Sequence, residues 1–116
     1  MHNFKKLEIW NKSMEFVTEI YLLTTSYPKE EIFGLTSQTR RASTSIPFNI
    51  AEGSAKSSNK DFSRFLEIAI GSSMELETAL IVAYNLKYIN SDTLNEKQNK
   101  ITILQKMIYK FKNNLD

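Results

Sequence analysis

Basic side chains are the residues of this sequence with the clearest capacity for chemistry. Between positions 40 and 64 the chain carries five basic residues against two acidic ones. Guanidinium and ammonium groups bind the phosphate oxygens of RNA and DNA. The charge clustering therefore leaves two interpretations open, a phosphate-binding surface and an ordinary solvated surface. The candidate phosphate-binding residues are Arg40, Arg41, Lys56, Lys60 and Arg64.

Acidic residues elsewhere in the chain offer these arginines a structural role instead. If two antiparallel helices turn near residues 56–58, the arginine pair lies near Glu75, and Gln38 lies near Glu77. An earlier turn, between Tyr27 and Leu35, would set Arg41 near Glu19. Because a planar guanidinium suits partly buried ion pairs, we expect at least one of the two arginines to pair within the bundle or across a subunit interface.

A second polar group lies around Asn49 and Glu52, beside a proline in a helical stretch. A buried carboxylate is costly unless it is hydrogen-bonded, so we expect Glu52 to accept from Ser54 or from the start of the next helix. Asn49 would bond backbone groups freed by Pro47. The alternative is a catalytic carboxylate pair, but the chain has no cysteine and its one histidine is His2. We therefore predict no enzymatic activity, no metal and no cofactor.

The composition indicates one small domain over residues 1–116. Of these residues, 41% are hydrophobic and 24% charged, and the low content of glycine (three) and proline (two) argues against a β-sandwich or a disordered chain. The net charge of +2 is too small to indicate nucleic-acid binding by itself. No segment resembles a signal peptide or approaches the roughly 20 apolar residues of a membrane span, so we expect a cytoplasmic protein with no membrane contact.

Apolar residues recur at steps of three and four along four stretches, which predicts four helices over residues 6–25, 35–55, 58–89 and 91–114. Pro47 should kink or break the second helix. Ser58 should begin the third, whose Gly71 suggests a close helix–helix approach. These elements predict an all-α, antiparallel up-down-up-down bundle. Because residues 62–89 are apolar on nearly every side, we expect this chain to assemble with copies of itself.

One run of motifs resembles a known family. The motifs are Arg40-Arg41-Ala42, Pro47, Asn49-Ile50-Ala51-Glu52-Gly53, Gly71-Ser72 and Glu75-Leu76-Glu77. Together they resemble the four helix bundle protein family, also called the 23S ribosomal RNA intervening-sequence or S23 family. Some of its members are encoded inside intervening sequences of bacterial 23S rRNA genes. The sequence departs from the family pattern at Thr39 and Ser43, and at the pair Ala55-Lys56.

This resemblance implies a four-helix bundle that forms a ring-like homopentamer and has no known catalytic activity. Similar accessory proteins of diversity-generating retroelements are thought to bind nucleic acid and a reverse transcriptase. We therefore expect a nucleic-acid-binding or accessory protein whose partners are itself, RNA or DNA, and a reverse transcriptase or another protein. In this interpretation Lys5 and Lys6 lie at the same end as the basic residues that follow the second helix. The alternative is a protein–protein scaffold ring without nucleic-acid contact.

Overall fold

The computed structural model describes residues 2–115, and within that range the chain is all α-helical, as predicted. The four long helices are α1 (Glu8–Thr24), α2 (Leu35–Ser54), α3 (Asn59–Asn85) and α4 (Ser91–Asn113). Single 3-10 turns at Phe4–Lys6 and Lys29–Glu31 precede α1 and α2. No helix in residues 2–115 combines the length and the apolar character needed to cross a membrane.

A polar cap begins α3, and a residue in the left-handed conformation ends it. Ser58 begins α3 as predicted, because its hydroxyl accepts a hydrogen bond from the Asp61 backbone N–H at 3.1 Å. The third helix ends four residues before the predicted Ile89. Lys87 has a φ of 66°, and the Tyr88 N–H turns back to the Ala83 carbonyl at 2.8 Å, a Schellman ending in which lysine replaces the usual glycine.

The second helix runs without a break through Pro47, which is fully buried. Of the predicted kink or break at Pro47, the break therefore does not occur. The Asn49 amide donates to the Ser45 carbonyl at 2.8 Å and to the Ser45 hydroxyl at 3.0 Å. This side chain does bond the helix backbone, but not at the Ser43 carbonyl, whose usual partner would be the N–H that proline lacks.

The core is formed by large apolar side chains from all four helices. The Ser45 hydroxyl of α2 and the Ser72 hydroxyl of α3 form a hydrogen bond of 2.7 Å, and Gly53 of α2 lies against Phe65 of α3. Because a later residue of α2 meets an earlier residue of α3, the two helices run in opposite directions. The largest fully buried aliphatic and aromatic side chains are Ile20 from α1, Ile46 and Ile50 from α2, Phe62, Leu66, Leu76 and Leu80 from α3, and Ile101 and Ile108 from α4.

Candidate nucleic-acid interface

Three segments that are distant in the sequence meet at the end of the bundle where α2 turns into α3. The His2 N–H donates to the Ser54 carbonyl at 3.0 Å, and the His2 ring lies 5.1 Å from the Phe62 ring. Phe62 also contacts Phe111 of α4, with ring centroids 5.5 Å apart. We call this surface, formed by residues 2–8, 52–64 and 110–115, the basic end.

The basic end carries seven basic residues against three acidic ones, an excess of four positive charges, and one of the seven, Lys112, pairs at 3.4 Å with Glu67 just outside this surface. Lys56 lies half-buried with its Nζ 5.0 Å from the centre of the Phe65 ring, a cation–π contact. Arg64 pairs with Asp61 at 3.5 Å, but its side chain is 70% exposed, so this pair holds it only weakly. Within residues 2–115, no carboxylate lies within 4 Å of the exposed lysines of this surface, which are Lys5, Lys6, Lys60 and Lys110.

Arg40 lies elsewhere, against the last turns of α1. Its Nε donates to the Thr24 hydroxyl at 2.8 Å, its Nη2 donates to the Tyr21 carbonyl at 3.3 Å, and the guanidinium lies 4.7 Å from the Tyr21 ring centre. The predicted pairing of Arg40 with Glu75 is therefore wrong, because this face of α2 packs on α1 and not on α3.

Arg41 is exposed and lines a groove between α2 and α3 together with Glu75, but no ion pair joins the two. No ion pair joins Arg41 to Glu19 either, and the Glu19 carboxylate is bound to Lys97 and Lys100 of α4. Fourteen residues at about 1.5 Å each separate Arg40 from Ser54, the last residue of α2, so Arg40 lies about 21 Å along the helix from the turn that carries Lys56. The structure thus brings Lys56, Lys60 and Arg64 together and leaves the arginine pair away from them.

Glu19 is the centre of a charge cluster between α1 and α4 that the sequence analysis missed. Its Oε1 accepts from Lys97 at 2.9 Å and from Lys100 at 2.7 Å, and the Lys97 side chain is only 11% exposed. Burial alone would raise the pKa of Glu19, but the hydrogen bonds from Lys100 and Lys97 outweigh burial and lower it. The signal in the sequence is that Glu19 lies three residues after Phe16 and four before Leu23, so it shares a face of α1 with apolar residues that pack in the core.

The predicted role of Glu52 is not observed. Glu52 is exposed, and the Ser54 hydroxyl donates to the Ala51 carbonyl at 2.6 Å instead. Glu77 is half-buried, and no hydrogen bond between it and Gln38 is present in the described part of the chain. In the same range, no three histidine, cysteine, aspartate or glutamate side chains are grouped so that they could hold a metal ion.

The two helical glycines have opposite surroundings. Gly71 is exposed, and a Cβ atom built on it would meet no atom within 4 Å. The predicted close approach of another helix at Gly71 is therefore wrong within a single chain. Gly53 has that role, since a Cβ there would lie 2.7 Å from the Phe65 Cβ and 2.8 Å from the Phe62 ring. Only glycine allows α2 and α3 to meet as closely as they do at the basic end.

Comparison with known proteins identifies the family. The sequence profile of the 23S rRNA-intervening sequence proteins matches residues 5–110. The chain belongs to this family. A crystal structure of a protein of unknown function from the S23 ribosomal protein family of Bacteroides thetaiotaomicron has the same fold. It superposes with a TM-score of 0.83 at 27% identity, over 91% of this chain and 96% of that one. A search of curated proteins finds no match. The resemblance inferred from the Asn49–Gly53 run and the later motifs is thus confirmed.

Proposed function

We propose that this 23S rRNA-intervening sequence protein is a non-enzymatic protein that binds the phosphate backbone of RNA or DNA through its basic end. The observation that carries the proposal is the excess of four positive charges there, on a surface where Lys60 is exposed and has no carboxylate partner within residues 2–115. Lysines of this kind release counterions from a nucleic acid when they bind it. The site is cytoplasmic in this proposal, where a reverse transcriptase or another nucleic-acid enzyme is an available protein partner.

The proposal includes assembly of up-down-up-down bundles into a ring-like homopentamer. Its support is an exposed apolar surface on the outer side of α2 and α3, where Phe48 is 68% exposed and Ile68 47%. Such side chains favour burial against a second chain. In a closed ring the basic end of each subunit would recur around one rim, and several weak phosphate contacts would then act together on one nucleic acid.

The direct test measures binding of a labelled RNA hairpin and a labelled DNA duplex by fluorescence anisotropy over roughly 50 to 200 mM salt. The double variant Lys60→Gln with Arg64→Gln should bind both more weakly, and the slope of log affinity against log salt should become shallower by about 0.9 for each lost duplex phosphate contact. The matched control, Lys29→Gln with Lys87→Gln, removes the same charge from exposed residues at the opposite end of the bundle and should bind like the unaltered protein.

Two results would refute this function. One is the absence of binding to either nucleic acid at the lowest salt concentration. The other is equal loss of affinity in both double variants, which would show that only overall charge matters.

A scaffold ring without nucleic-acid contact is the second candidate, and the same exposed apolar surface favours it. Phe33 is 95% exposed and Leu86 is 50% exposed at one end of the α2–α3 groove, a cavity of about 720 Å³. Recovery of partners from a nuclease-treated lysate distinguishes the two functions. A scaffold keeps its protein partner after nuclease treatment, and a partner bridged by RNA or DNA is lost. Light scattering with absorbance at 260 nm reports the assembly mass and any bound nucleic acid together.

A further inference from the structure

The phenylalanine rings of the basic end are covered by other side chains. Phe62 is 1% exposed, and its ring contacts the ring of Phe111, which is half-buried. The half-buried Phe4 ring packs edge-on against Trp10, with ring centroids 5.1 Å apart. Proteins that bind single-stranded nucleic acids stack successive bases on exposed aromatic rings. These rings are not accessible for that purpose.

Two exposed rings lie at the basic end or directly beside it, and they face different ways. Among the described residues there, only His2 and Tyr109 are exposed aromatic side chains. The His2 ring lies against Phe111, with ring centroids 6.0 Å apart. Tyr109 precedes Phe111 by two residues on α4, so it projects about 200° away from Phe111 around the helix axis. The two rings therefore lie on different sides of α4 and cannot stack neighbouring bases of one strand.

The exposed lysines of the basic end come from three segments of the chain and do not follow a single row. Lys5 lies in the 3-10 turn before α1, Lys60 in the first turn of α3 and Lys110 in the last turn of α4. The molecule measures 44 by 25 by 20 Å, so the bundle is 20–25 Å wide across its long axis. The two grooves of B-DNA are about 12 Å and 6 Å wide, so a surface of this width can contact the phosphates of both strands at once. A single strand presents one line of phosphates and would contact only some of these lysines.

We infer that the basic end binds double-stranded RNA or DNA through the phosphates of both strands, without unpaired bases and without sequence preference. This inference rests on the proposed function and names the class of nucleic acid that the same surface binds. Both double helices share the chemistry that the lysines recognise, which is two neighbouring rows of phosphates. Double-stranded DNA carries one negative charge per about 1.7 Å of its axis, twice the charge density of either strand. Where no ring stacks bases, this higher charge density favours the duplex.

The test uses the full chain and four fluorescent probes of equal length: an RNA duplex, a DNA duplex, oligouridylate and oligothymidylate. Fluorescence anisotropy at about 50 mM salt should show that a duplex binds at least about tenfold more tightly than either single strand. A second duplex of unrelated sequence should bind within about twofold of the first, because phosphate contacts carry no sequence information. Tighter binding of either duplex supports the inference, and the RNA and DNA probes show which double helix the protein prefers.

Two further variants, at exposed residues whose replacement should preserve the fold, test how the strands are contacted. Lys5→Gln with Lys110→Gln should make the salt dependence of duplex binding shallower by about 0.9 for each lost phosphate contact, as Lys60→Gln with Arg64→Gln does. Tyr109→Ala is the control for base stacking and should change the affinity for every probe less than about twofold. Stacking of a base on Tyr109 would instead make single-strand binding about tenfold weaker in this variant.

Three results would overturn this inference and leave phosphate binding by the basic end standing. They are single strands that bind as tightly as the duplexes, unchanged duplex binding in the variant of Lys5 and Lys110, and loss of single-strand affinity in Tyr109→Ala. If none of the four probes binds at the lowest salt concentration, the proposed function fails and this inference fails with it.

Discussion

Gly53 of α2 and Phe65 of α3 are so close that a Cβ atom on the glycine would lie 2.7 Å from the Phe65 Cβ. The atom it would strike belongs to the fixed part of the phenylalanine side chain and cannot move away by rotation about χ1. The absence of a side chain at Gly53 therefore sets the spacing of the two helices that carry Lys56, Lys60 and Arg64.

We predict that Gly53→Ala destabilises the fold by about 1–3 kcal/mol, because the added methyl group forces α2 and α3 apart. Gly71→Ala is the matched control. It also replaces a helical glycine, but with no atom within 4 Å of the new Cβ it should stabilise the fold by up to about 1 kcal/mol through helix propensity. Urea denaturation measures both values. Equal effects of the two substitutions would show that packing at Gly53 is not tight.

Assembly can be tested on the exposed side of α3. If copies of the chain associate through the outer surface of α2 and α3, Ile68→Lys should lower the mass measured by light scattering while the helical circular dichroism stays unchanged. Leu22→Lys is the control, since Leu22 is 68% exposed on α1, away from that surface. A 13.4 kDa particle for the unaltered protein at high concentration would contradict assembly altogether.

The cluster around Glu19 should make stability depend on pH in two windows. The pKa of Glu19 is lowered from 4.5, so its stabilising effect is complete above about pH 4.5 and is lost as the pH falls through the folded-state value. Burial alone would lower the pKa of Lys97, but its hydrogen bonds to Glu19 and Glu96 outweigh burial and raise it from 10.5. Its contribution is therefore complete below about pH 10.5 and is lost as the pH rises through the folded-state value.

Replacing Glu19 with an uncharged residue should reproduce, at neutral pH, the loss of stability that the unaltered protein shows in acid. We expect Glu19→Gln to cost on the order of 1–2 kcal/mol, because among residues 2–115 it leaves the mostly buried Lys97 with only the Glu96 carboxylate as an ion-pair partner. Urea denaturation at pH 7 and pH 3 should show a smaller pH dependence in this variant. Glu15→Gln alters an exposed carboxylate on the same helix, and an effect as large as that of Glu19→Gln would contradict the role of the cluster.

A second carboxylate joins the start of α2 to the residues after α3. The Leu35 N–H and the Tyr88 hydroxyl both donate hydrogen bonds to the Glu31 carboxylate. Both bonds lower the pKa of Glu31, and the bond from Leu35 has the larger effect. We predict that Glu31→Ala lowers the melting temperature at pH 7 and that the difference from the unaltered protein shrinks as the pH falls below about 4.5. Glu30→Ala should have no such effect, because this neighbouring carboxylate is exposed.

The helices and the family could be predicted from the sequence, but the partners of the charged side chains could not. The spacing of apolar residues and the cap at Ser58 reflect local preferences for helix formation, and the folded chain retains the helices that they predict. A charged pair depends on helix rotation as well, and one residue turns a side chain by about 100° around the axis. This is why Arg40 lies on α1 and Arg41 faces solvent. The glycines illustrate the same limit, since Gly53 and Gly71 both lie within helices and only the packing shows which of them touches a neighbouring helix.

The position of residues 2 and 115 has a practical consequence. His2 lies against Phe62 and Phe111, and the Leu115 carbonyl accepts a hydrogen bond from Asn59, so both extremities of the described chain adjoin the surface proposed to contact phosphates. A purification tag or fluorophore fused at either extremity would cover that surface, and a polyhistidine tag would add further cations to it. A dye attached near Lys87, at the far end of the bundle, reports on the protein without that interference.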